Sequence, residues 1–200
     1  MKNLFFILIF FITTYNVNSQ VTLVDLDDWN GMPEENHYYK DVDNYLDPFV
    51  GTWVYTNGNT SLKIVLEKKV MAANPYYYED LLVGEYRYVE NGVEKINTLP
   101  TLTTIYGNQR SHNIVGNTVI SKHQKPECGN CTPGEKRVNL GFSDPIHQLS
   151  GELILQRITV NGQPALKAYK RTTIYFISMD EKSPYSYMLV PSGEYILMKQ

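Results

Sequence analysis

Phe49-Val50-Gly51-Thr52-Trp53-Val54-Tyr55-Thr56-Asn57-Gly58 is the stretch from which the fold can be read. Gly51 lets the chain bend sharply into whatever follows, because glycine lacks the Cβ that restricts other residues. Trp53, two residues on, offers a large apolar body with a single N–H to satisfy, which suits a buried place near the start of a strand. Asn57-Gly58 tolerates positive φ at both central positions of a tight turn, so a strand begun near Gly51 is predicted to reverse there.

Working outward, the hydrophobic period stays at two. Leu62, Ile64 and Leu66 alternate with Lys63 and Glu67. Leu82, Gly84, Tyr86 and Tyr88 share one face, with Val83, Glu85, Arg87 and Val89 on the other. Leu153 and Leu155 alternate with Ile154 and Gln156, and Leu166 and Ala168 with Lys167 and Tyr169. This is the pattern of half-buried strands. Turn signals predict hairpins across 57–60, 91–92, 161–163 and 191–193. No amphipathic pattern of helical length is present. Repeated hairpins without helices predict an all-β, antiparallel up-and-down meander of about eight to ten strands, closed because open edges invite aggregation. Sixteen tyrosines suit cross-strand pairs on such a sheet, or the wall of a ligand cavity.

Gly51-Thr52-Trp53, just ahead of the run of hairpins, resembles the Gly-x-Trp signature of lipocalin-like proteins. The resemblance implies a lipocalin-like barrel with Gly51 and Trp53 in structural roles. It also implies a basic residue from a late strand packed over the tryptophan, for which Arg171, Lys199 and, less well placed, Arg157 are available. A wider set of segments, Tyr39-Lys40-Asp41, Leu46 to Gly58, Tyr78 to Tyr88 and Glu90-Asn91-Gly92, resembles an uncharacterised family of small exported bacterial proteins known only as a domain of unknown function. That likeness covers residues 39–99 well and the rest loosely. It implies export and brings no activity, ligand or catalytic residue with it.

The amino end reads as a secretory signal over residues 1–19. Lys2 precedes nine unbroken apolar residues, Leu4–Ile12, and Val17-Asn18-Ser19 suits signal peptidase. Nine residues of helix rise about 14 Å, too short to span a bilayer. No cysteine follows Ser19 to take a lipid. The expected mature chain begins at Gln20, lacks a transmembrane segment, and lies in the periplasm or outside the cell. Loss of Lys2 takes the net charge from −3 to −4, and no basic stripe remains to hold nucleic acid. Residues 20–48 carry eight carboxylates against Lys40 alone and are predicted to form an irregular, solvated acidic leader with at most a turn near Asn44–Leu46. Asp25-Leu26-Asp27 and Asp41-Val42-Asp43 lack the ligand and glycine pattern of a calcium loop. Residues 49–200 then form a single barrel domain, which is long enough to bury a sizeable core.

Cys128-Gly129-Asn130-Cys131 is the only cysteine pair. After export it reads as a disulfide stapling its own loop. A zinc site of Cys128, Cys131, His123 and His147 is the alternative. Thioredoxin-like chemistry needs a helix after the first cysteine, and Thr132-Pro133-Gly134 leads instead toward a strand at Arg137–Phe142. No Gly-x-Ser-x-Gly turn is present. Ser111 and His112 would point to opposite faces of a strand. Glu79-Asp80 reads as solvated charge at a strand edge. These observations predict a non-enzymatic protein without a cofactor. Two functions remain: binding a small, partly apolar ligand in the barrel, with Tyr or Arg fixing its polar head, or acting on an exported protein partner as an interaction or inhibitor module with a filled barrel.

Overall fold

The computed structural model describes residues 21–29, 31–124, 127–173, 175–176 and 183–200, and the expected signal segment, residues 1–19, lies outside them. Twelve strands run in chain order: β1 (Thr22–Asp25), β2 (His37–Lys40), β3 (Gly51–Asn57), β4 (Thr60–Ala73), β5 (Tyr78–Glu90), β6 (Val93–Asn97), β7 (Ile114–Ile120), β8 (Arg137–Asp144), β9 (Leu149–Val160), β10 (Gln163–Thr173), β11 (Tyr175–Phe176) and β12 (Gly193–Lys199). Among the described residues the helical elements are four single 3-10 turns.

Eight strands close an antiparallel barrel in the order β3-β4-β5-β7-β8-β9-β10-β12, each paired with its neighbour along the chain. The ring closes where Met198 and Lys199 of β12 meet Val54 and Trp53 of β3. This is the predicted up-and-down barrel. Three predicted hairpins form, at residues 58–59, 91–92 and 161–162. The fourth does not: β11 lies between β10 and β12 in the chain and pairs with β9, and Gly193 opens β12 directly after Pro191 and Ser192. A turn with no Asn-Gly signal joins β8 to β9, where Gln148 takes the positive φ of 53°.

One apolar cluster fills the barrel. Leu62, Ile64 and Leu66 of β4 face Tyr88, Tyr86 and Gly84 of β5. Trp53, Phe142, Leu155 and Leu197 close the centre. The opposite face of β5 is buried as well, since Val83 and Glu85 are both inaccessible. Period-two reading shows which residues share a face, not which faces are covered.

The leader is not irregular over its whole length, which corrects the sequence reading. β2 adds to β5 in parallel through Tyr38↔Tyr78 and Tyr39↔Glu79, and β1 adds to β2. Leu26, Tyr39 and Leu46 enter the core cluster. The expected turn lies slightly later, as a 3-10 turn at Asp47–Phe49. Asp41 is buried, not solvated. It accepts from the backbone N–H of Tyr45 and Leu46 and from Lys68 Nζ. A few apolar residues among many carboxylates suffice to dock the leader once β5 offers an unpaired edge.

Candidate functional site

The two ends of the barrel differ. At one end the leader turn, the β7–β8 loop, the β9–β10 hairpin and the last residue of β12 surround Trp53. At the other, the β8–β9 turn and residues 183–192 cover the interior.

Trp53 is buried, and its indole Nε1 donates to Phe49 O at 2.8 Å. Lys199 pairs with Trp53 across the closing strands and holds its Nζ 5.3 Å from the ring centroid. Of the three basic candidates, Lys199 takes that position. Arg171 lies on the outer surface and pairs with Glu152. Gly51 has φ +130°, and a Cβ there would meet Lys199 Cε at 3.4 Å. The bend at Gly51 therefore serves two ends: it sets the entry to β3 and leaves room for the lysine.

Above Trp53 lies an open cavity of about 740 Å3. Phe49 and Trp53 lie beneath it, Tyr45 and Pro48 wall one side, and Thr159 and Pro164 of the hairpin wall the other. Arg157 belongs to the inward register of β9 with Leu153 and Leu155, but it sits where the strand leaves the core, so its side chain is exposed at the mouth. The nearby carboxylates are engaged. Asp43 accepts from the Tyr45 hydroxyl, which raises that phenol above its ordinary pKa. Burial alone would raise the Glu135 carboxyl, but bonds from Thr132 and Gln156 outweigh it and hold the group below its usual range. Lys136 bridges Asp27 at 2.7 Å and lies 5.2 Å from the Tyr45 ring centroid. Arg157 and Lys199 have no carboxylate partner among the described residues. The mouth is therefore an aromatic-floored cavity with two available cations.

At the far end the described residues leave a smaller opening of about 510 Å3 beside Thr172 and residues 186–192 of the covering segment. Lys170, inward with Leu166 and Ala168, is fully buried. Its Nζ donates to Val190 O at 2.6 Å and Thr172 Oγ1 at 3.0 Å. Burial pushes its pKa down to about 8, against the opposing charge of Asp144. Asp144 accepts from the backbone of Ile146, His147 and Leu189, which ties the covering segment to the β8–β9 turn.

Cys128 and Cys131 form a disulfide, and both sulfurs are thereby consumed. The alternative zinc set is not brought together. His147 stacks on Tyr185 beside the β8–β9 turn. Cys131 contacts Gln156, about 23 Å farther along β9 at the rise of a strand. His123 is exposed in the loop before the disulfide.

Sequence reasoning missed three buried polar clusters. Glu79 and Asp80, expected to be solvated, are both buried. Glu79 receives a bidentate bridge from Arg110 and the Asn117 amide. Asp80 accepts from Tyr38, Asp41 N and Met71 N. Glu85 accepts from Asn113 and lies 2.9 Å from His112 Nδ1. His112 follows a 3-10 turn and does not lie in a strand as expected. The available signal was a carboxylate on each face of a strand whose apolar residues also occupy both faces.

A family model described as a family of unknown function (DUF6705) matches residues 1–200. No curated protein and no solved structure matches the chain.

Proposed function

Starting from a chain that belongs to DUF6705, a family of unknown function, we propose an exported, non-enzymatic binding module that takes a small, partly apolar anion in the barrel mouth above Trp53. The observation that carries this reading is the cavity of about 740 Å3 in which Arg157 and Lys199 have no carboxylate partner among the described residues. Its volume lies in the range of small-molecule sites, which combine apolar walls with a few placed polar groups. Phe49, Trp53 and Tyr45 provide the apolar contact. The two cations would fix a carboxylate, sulfate or phosphate head, and the guanidinium can do so through two parallel bonds. The ligand would lodge in the mouth and not along the axis, because the interior beneath is occupied by side chains.

That filled interior is also what favours the second reading, an interaction or inhibitor module acting through its loops. Titration of the mature protein with decanoate and with decylamine tests the first reading against it. Decanoate should bind saturably and shift the Trp53 indole resonance, whereas decylamine should not. Arg157→Ala, or Lys199→Met with its stem still over the ring, should weaken decanoate about tenfold, the loss of roughly one charge-assisted bond. Absence of saturable decanoate binding by the folded protein would leave the second reading in its place.

A further inference from the structure

The β7–β8 loop gives the mouth one of its walls. Thr132, Gly134, Glu135 and Lys136 line the cavity, and they follow Cys131 of the disulfide directly. Closing so small a ring constrains little of the unfolded chain, so the bond adds little to the stability of the whole barrel. Its effect falls on the loop that forms the wall.

The two sulfurs are placed differently. Cys131 is buried, whereas Cys128 is half-buried, with Glu127, Gly129 and Asn130 exposed around it. Gln156 Nε2 lies 3.4 Å from Cys131 Sγ. A thiolate arriving from solvent therefore meets Cys128 first, and an N–H donor faces the charge that Cys131 takes as it leaves. Thiol–disulfide exchange is faster when the leaving sulfur is stabilised as a thiolate.

The same Gln156 amide holds the wall. Its Nε2 donates to Glu135 Oε1 at 2.9 Å. Glu135 Oε2 accepts from Thr132 N at 2.9 Å and from Thr132 Oγ1 at 3.1 Å. These bonds keep the Glu135 carboxylate engaged within its own loop, although Glu135 and Arg157 line one cavity. A thiolate at Cys131 would share the Gln156 amide with that carboxylate, and two anions so placed repel. Opening the ring also frees the loop to turn Glu135 toward the guanidinium.

We propose that the Cys128–Cys131 bond is a redox switch on the mouth. Oxidised, it holds Glu135 off Arg157 and leaves the guanidinium open to an anionic ligand; reduced, it lets Glu135 occupy that guanidinium. The proposal rests on the reading of the mouth as an anion site. The reductant is a dithiol. One of its sulfurs attacks Cys128 Sγ, the S–S bond breaks and Cys131 leaves. The second sulfur then displaces Cys128, so that two electrons and two protons pass to the protein and the dithiol becomes a disulfide.

The test uses the 15N-labelled mature protein, oxidised and after reduction by dithiothreitol. Reduction should weaken decanoate about tenfold, as loss of Arg157 does, and Cys128→Ser/Cys131→Ser should bind it as weakly. In Arg157→Ala, reduction should weaken it no further. With no ligand present, reduction should move the Arg157 Nε–H resonance in the native sequence and not in Glu135→Gln. The Tyr86 amide, bonded to Thr98 Oγ1 inside the sheet, should stay in place and report an intact barrel. Equal decanoate affinity in the two redox forms would overturn the switch and leave the mouth reading standing. An Arg157 Nε–H resonance that ignores reduction, or that moves equally in Glu135→Gln, would overturn the switch whether or not decanoate binds. Failure of the oxidised protein to bind decanoate would overturn the mouth reading, and the ligand-free resonance would still decide the switch.

Discussion

Trp53 and Trp29 show how far the role of a residue depends on its surroundings. Trp53 is buried, donates to Phe49 O and lies under Lys199. Trp29 is half-buried, stacks on Tyr39 at 4.7 Å between centroids, and has no partner for its Nε1. Trp53→Ala should cost about 3–5 kcal/mol, as truncation of a large core aromatic does. Trp29→Ala should cost clearly less, and paired thermal unfolding curves would show the order. Lys170 makes a different prediction, on pH. Its folded pKa of about 8 lies below its ordinary value of 10.5. Between those values the unfolded chain binds more protons than the folded one, so stability should rise with pH across that window. Below about pH 8 both states hold the proton and the full cost of the buried ammonium is present. Melting midpoints from pH 7 to 10 should show this rise in the native sequence and not in Lys170→Met. Equal pH profiles would mean that Lys170 is not desolvated as the fold implies.

At the scale of elements, the β7–β8 loop carries the disulfide and the leader carries the largest surprise. The ring from Cys128 to Cys131 constrains little of the unfolded chain. A Cys128→Ser/Cys131→Ser protein should fold, with a loss below about 2 kcal/mol. A chelator should leave the midpoint of the native-sequence protein unmoved, whereas a zinc site at Cys128 and Cys131 would lose folding free energy with its metal. The hairpins at 91–92 and 161–162 were legible because Asn-Gly makes its own turn whatever surrounds it, whereas the first turns one residue later than Asn57-Gly58, on Gly58-Asn59, with Asn57 paired to Thr60. The β8–β9 turn was not legible, since Gln148 adopts its positive φ only under the constraint of the two strands it joins. The leader escaped detection for the same kind of reason. β2 is short and pairs through only two residues with a strand forty positions later.

For the whole molecule, closure is the decisive event. β12 meets β3 through two residue pairs, and β5 meets β7 through three. These short seams convert a meander into a barrel and place Arg157, Lys199 and Trp53 around one mouth. Export is argued from residues 1–19 and predicts that intact-mass measurement of secreted protein finds a chain beginning at Gln20. A product that retained Met1 would remove the case for an oxidising compartment.

What the amino-acid sequence determined by itself was local: the period of two, the Asn-Gly turns, the bend at Gly51 and the proximity of the two cysteines. Each depends on residues a few positions apart, and each stands in the structure, with the first turn shifted by one residue to Gly58-Asn59. The tertiary structure alone decided which faces are covered. Glu79 and Asp80 read as solvated charge at a strand edge, yet both are buried, and so are Glu85 and Lys170. Their partners, Arg110, Tyr38, Asn113 and Val190, come from elements that only closure and docking bring within reach. A buried charge is tolerated where a specific partner meets it, and that meeting is a property of the assembled barrel.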